Sequence, residues 1–179
     1  LRPRLVNGRF GDPAVLVDIP VGGRALLLDL GDLHALSARQ LLKVDLALIS
    51  HAHVDHLIGF DTLLRVMIGQ QRRLVILGPE GIATRLGHKL AGYAWDLGPL
   101  YEAELTIEVI EVANDLARRS ISFRLRNGFR PEPGGEAPPP SDGVVLRPPG
   151  LGMELAIHAA PLSHHGTPCL GYALRSPAR

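Results

Sequence analysis

The sequence predicts an α/β protein, a layered αββα sandwich that is cut short before its last layers. Three observations carry this. Strand-like runs alternate with two longer stretches of helical spacing. One run, Leu46-Ala47-Leu48-Ile49, is apolar throughout, as in a strand buried on both faces. Histidine and aspartate crowd together directly after it, at a strand end.

The elements follow in order. Ala14 to Ile19 and Arg24 to Asp29 read as two strands, and Val21-Gly22-Gly23 supplies the turn of a hairpin. Leu33 to Leu42 reads as a short helix. Asp45 to Ile49 is the buried strand. From His56 to Ile68 the apolar positions Leu57, Phe60, Leu64 and Met67 recur at helical spacing. Leu74 to Leu77 is the next strand, and Pro79 suits the first turn of a helix running to about Trp95. Leu105 to Val112 and Ile121 to Leu125 alternate as strands do. Residues 127–150 form a Pro/Gly-rich segment read as a loop or flap, with Val144 to Leu146 as a weak strand inside it. Met153 to Ala160 and Leu170 to Leu174 are the last strands.

At 179 residues the chain is expected to be a single domain, 1–179, with ample apolar residues for a core. The net charge is only +1, and no dense Lys/Arg block marks a nucleic-acid stripe. The single Cys169 excludes an internal disulfide framework and fits a reducing cytoplasm. No apolar run reaches membrane-spanning length.

The chemistry concentrates in Ser50-His51-Ala52-His53-Val54-Asp55-His56. Imidazole nitrogen and carboxylate oxygen suit a borderline divalent ion such as zinc. His51 and His53 lie two apart, so an extended segment turns both to one side. Asp55 and His56 follow in a turn and can face a second ion. Two metals a few Å apart clamp the attacking and leaving oxygens of a phosphoester hydrolysis. Ser50 has no Ser-His-Asp context, which disfavours a serine nucleophile. His88 and His158 read as structural.

This pattern resembles the His-x-His-x-Asp-His signature of the metallo-β-lactamase fold, and several flanking features resemble its ribonuclease Z-like branch. They are Leu28-Asp29-Leu30-Gly31 before the metal loop, Gly59 after it, Leu77-Gly78-Pro79-Glu80-Gly81, and Pro161-Leu162-Ser163-His164-His165 leading to Pro168 and Gly171-Tyr172. The resemblance implies metal ligands at His51, His53, Asp55, His56 and His165. His165 is selected over the neighbouring His164 by its register, three before Pro168 and six before Gly171. Asp55 is implied as general base, and Asp29 as an anchor that accepts a hydrogen bond from a histidine or from the loop backbone.

The implied cofactor is Zn2+ in a two-metal site, with Mn2+ as an alternative. The implied activity is a phosphodiesterase or endoribonuclease that uses a metal-activated water on precursor tRNA. The family carries a bridging Asp and a final His further on, and this sequence has neither beyond His165. The expectation is therefore a C-terminally truncated unit that turns over poorly alone and pairs through an uncovered sheet face as a homo-oligomer, a dimer. Two other readings compete: a hydrolase of small phosphodiesters or sulfate esters on the same fold, and a catalytically incomplete metal-binding fragment.

Overall fold

The computed structural model describes residues 1–151 and 153–176, so the last positions of the expected 1–179 unit lie outside the described residues. These residues form two sheets. The larger has eight strands in chain order: β1 (Arg2–Leu5), β2 (Val15–Ile19), β3 (Arg24–Leu28), β4 (Val44–Leu48), β5 (Arg72–Pro79), β6 (Leu105–Val112), β7 (Arg118–Arg124) and β8 (Pro131–Ala137). Its middle, β3 to β6, is parallel, and the flanking pairs are antiparallel. Parallel neighbours need crossovers. These contain α1 (Ala38–Leu41), α2 (Phe60–Met67) and α3 (Ile82–Ala91). The smaller sheet runs β11 (Thr167–Arg175), β10 (Ala156–His164), β9 (Val144–Leu146).

Alternation along β4 shows how the layers stack. Ala47, then Ile49 just past the strand, enter a core shared with Phe60, Leu63 and Met67 of α2 and Leu86 and Leu90 of α3. Leu46 and Leu48 enter a second core shared with Val145, Ile157 and Leu170 of the smaller sheet. Both faces are dry, which is why the run is uniformly apolar. The helices supply the first core only, so the described residues build three layers, α, β and β, of the αββα arrangement.

Several expectations shift. The helix read over 33–42 shrinks to α1, because the capping box of Ser37 and Gln40 starts it at Ala38 while Leu33 and Leu36 plug the first core from a loop. Pro79 ends β5 rather than opening a helix. It lies beyond the reach of β4, whose register stops at Leu48 opposite Leu77, so its missing N–H breaks no ladder bond. The helix begins at Ile82, after Gly81 turns the chain at φ 85°. The 127–150 segment is not a free loop. It contains β8 and β9, and β8 tolerates Pro131 and Pro133 because it is an edge strand. β10 starts three residues later than read and runs on to His164. No apolar pattern announces β1, which is exposed throughout.

Candidate metal centre

The site forms where the two sheets meet at the ends of β3, β4 and β10. After β4, Ile49 donates its N–H to Leu77 O at 2.8 Å, and Ser50 O accepts from Leu170 N of β11 at 2.8 Å. The Tyr172 hydroxyl donates to Ile49 O at 2.8 Å and lies 3.2 Å from Leu77 O. Burial, first, and Asp29, second, push its phenol well above the ordinary range, so it stays a donor. The smaller sheet is thereby bolted to the segment that delivers the histidines.

The other support is backbone against backbone. Leu30 N donates to His56 O, and Gly59 N donates to Leu30 O, both at 2.9 Å. A Cβ on Gly59 would lie 2.0 Å from Gly31 O, and one on Gly31 would lie 2.6 Å from Pro13 O. Both glycines are dictated by this close approach. The metal loop thus rests on the Asp29–Gly31 turn.

Asp29 adopts φ 57°, a left-handed conformation in which Asp is among the tolerated residues. This aims its carboxylate under the loop. Oδ1 accepts from Ser50 N at 2.7 Å, and Oδ2 lies 2.9 Å from His56 Nδ1 and 2.8 Å from Ser50 Oγ. Ser50 Oγ is also 3.0 Å from His51 Nδ1. One carboxylate and one hydroxyl therefore underlie two imidazoles.

The structure brings together His51, His53 and His164, with one candidate ligand atom from each lying within 4.8 Å of the others. His51 Nε2 is 3.1 Å from His53 Nδ1. The ring of His164 stands 4.9 Å from that of His51 and 5.2 Å from that of His53. The ring of His56 lies 4.0 Å from that of His51, tilted by 52°. Asp55 lies in the single 3-10 turn Val54–His56, and its Oδ2 is 3.6 Å from His56 Nε2. His165 is not in the three-histidine group. It occupies a two-residue turn with Gly166, at φ 49° and 83°, between β10 and β11. Two successive positive φ values define the hairpin turn whose twist matches the flanking strands. His164, paired with Thr167, is thus the last strand residue and reaches the cluster. The residue expected from the register, His165, thus lies beside the group, and its neighbour His164 lies within it. The sequence signal for this placement is His165-Gly166, a turn dipeptide that leaves His164 at the strand end.

His51 is buried, and its pKa lies below the ordinary 6.5, first from burial and then from the imidazoles of His56 and His53. A neutral imidazole is the form that binds a metal. Two nitrogens on a tetrahedral zinc stand about 3.3 Å apart, given Zn–N bonds of 2.0–2.1 Å. The 3.1 Å between His51 and His53 is close to that demand. The donor set fits a borderline divalent cation.

An αββ core carrying a strand-end histidine cluster defines a class, and sequence comparison agrees with it. The β-lactamase superfamily domain model matches residues 15–179, and the chain belongs to that family. It is 37% identical over 168 residues to ribonuclease Z of Deinococcus radiodurans, an alignment covering 92% of this chain and 48% of the relative. It is 39% identical over 89 residues to ribonuclease BN of Citrobacter koseri, covering 48% of this chain and 28% of that protein. The chain thus spans at most about half the length of these curated relatives. Human tRNase Z, short form, shares the fold, with a TM-score of 0.53 at 14% identity over 98% of this chain and 61% of that one.

Proposed function

We propose that this chain carries the metal-binding part of a zinc-dependent hydrolase of the ribonuclease Z kind, acting on phosphodiester bonds in precursor tRNA. The observation that carries the reading is the histidine cluster in a chain aligned over 92% of its length with a ribonuclease Z.

His51, His53 and His164 would hold one zinc. Asp55 and His56 begin a second position beside it. A bound zinc lowers the pKa of water to about 7 and polarises a phosphoryl oxygen. The protein's own groups do the rest. Asp29 holds His56 in place, and buried His51 stays neutral in the wall of the site. Asp55, with its side chain 48% exposed, has a carboxylate oxygen free to orient an attacking water and accept its proton. The exposed edges of His53 and His164 leave the site open on one side, as an extended substrate requires.

The test is a hydrolysis panel on the gene product purified without chelator: precursor tRNA, a bis-aryl phosphodiester and an aryl sulfate. The expected result is chelator-sensitive cleavage of the precursor tRNA, abolished by Asp55→Ala with zinc still bound at the first position. Aryl sulfate as the preferred substrate, or full activity in Asp55→Ala, would overturn the assignment.

A further inference from the structure

A carboxylate can only accept hydrogen bonds, and a serine hydroxyl has one proton to give. Those two facts constrain the protons around Ser50. Its Oγ lies 2.8 Å and 3.0 Å from the two oxygens of Asp29, 3.0 Å from His51 Nδ1 and 3.2 Å from His56 Nδ1. If Ser50 donated to His51, its lone pairs would face the Asp29 oxygens, acceptor against acceptor. The hydroxyl proton therefore goes to Asp29. His56 Nδ1–H donates to Asp29 Oδ2 at 2.9 Å, its shortest partner. The remaining close contact of Ser50 Oγ, with His51 Nδ1, requires the proton to be on His51.

We infer that Ser50 is a positioning residue for the metal centre: it relays the acceptor character of Asp29 to His51 Nδ1–H, so that Nε2 of His51 carries a lone pair toward His53 and His164, accepting from His53 Nδ1–H in the zinc-free protein. Asp29 grips His56 directly and His51 through Ser50. A single carboxylate orients one imidazole from each of the two metal positions. The relay explains why the loop opens with a hydroxyl residue wedged between strand and histidines. At its positive φ, the Asp29 carboxylate reaches the Ser50 N–H, the Ser50 hydroxyl and His56 together. Second-sphere partners of metal-bound histidines fix the tautomer in this way, and their loss costs about 10–100-fold in metal affinity.

The functional meaning rests on the metal-centre reading above, and the proton assignment is tested apart from it. Histidine tautomers are read from long-range 1H–15N correlation spectra of the zinc-free protein, with His51 assigned by comparison with His51→Gln. The wild type should show His51 protonated at Nδ1. Ser50→Ala should move it to the Nε2–H form or a mixture, and Ser50→Thr, which keeps the hydroxyl, should retain Nδ1–H. Zinc affinity by competition with a chromophoric chelator should fall about tenfold or more in Ser50→Ala and stay within about threefold of wild type in Ser50→Thr. An Nε2–H tautomer for His51 in the wild type overturns the relay, even if Ser50→Ala fails to fold. So does an unchanged tautomer, or an affinity within about twofold of wild type, in a folded Ser50→Ala. Absence of zinc binding in the wild type would instead sink the metal-centre reading and leave the proton assignment standing.

Discussion

His51 is the buried histidine of the cluster, only 5% exposed, and its depressed pKa makes it acid-sensitive. In the unfolded chain it takes up a proton as pH falls through about 6.5; in the folded chain it resists until a lower pH. The unfolded state then binds more protons, so stability is lost as pH falls below 6.5, and the loss is complete once the folded pKa is passed. Urea unfolding of zinc-free protein at pH 7.5 and 5.5 should show this loss, and His51→Gln should lessen it. An equal loss in both proteins would contradict the assignment. At the same scale, His51→Ala, His53→Ala and His164→Ala should each lower zinc per chain sharply, whereas His165→Ala should lower it little, because His165 stands in the turn. Elemental analysis after desalting decides this, and the reverse order for His164 and His165 would mean that the hairpin turn is misplaced.

Two elements hold the loop, and each gives a prediction. Gly59→Ala would drive a methyl into Gly31 O and the Leu33 side chain, with no flexible group to yield at the carbonyl. Overpacking of this kind costs roughly 1–3 kcal/mol, and it should displace His56 as well, so the zinc content should fall together with the urea midpoint. Tyr172→Phe should cost about 1–3 kcal/mol by leaving Ile49 O without its donor, a change read from denaturant midpoints at constant m-value. What was legible in the sequence follows the same division. Leu46 to Ile49 and the Val15–Leu28 hairpin announce themselves because burial and turn chemistry are written locally. The histidine-rich loop stood out because four ligand-type residues in six positions have few structural uses. β8 was not legible, because Pro131-Glu132-Pro133-Gly134-Gly135 has no strand propensity of its own and is extended only by pairing with β7. The position of His164 beside His51 and His53 was not legible for a related reason. Spacing to Pro168 counts residues, whereas the histidine that the structure sets beside His51 and His53 depends on where the hairpin turns. The role of Ser50 was not legible, because its hydrogen bonds run to Asp29, twenty-one residues away.

Across the whole molecule, the three-histidine group draws His51 and His53 from the segment that follows β4 of the larger sheet and His164 from the end of β10 in the smaller. An ion held by all three would tie the two sheets together and favour the folded state, less whatever affinity the unfolded histidines have for it. Zinc at about one hundred times its Kd should add roughly 2.7 kcal/mol of stability. Thermal scans with and without chelator should show a higher midpoint with zinc for the wild type and a much smaller difference for His164→Ala; an undiminished shift in that variant would place the ion elsewhere. The order of the larger sheet reaches further still. Its eight strands lie side by side in the order in which they are synthesised. As the chain leaves the ribosome, each new strand finds its neighbour already in place, and no edge waits for a distant partner. The stretch bearing His51, His53 and His56 is laid down against β3 and β5 long before β10 emerges. A growing polypeptide would thus display an open, two-thirds-built chelate, and the arrival of His164 would be the event that closes it.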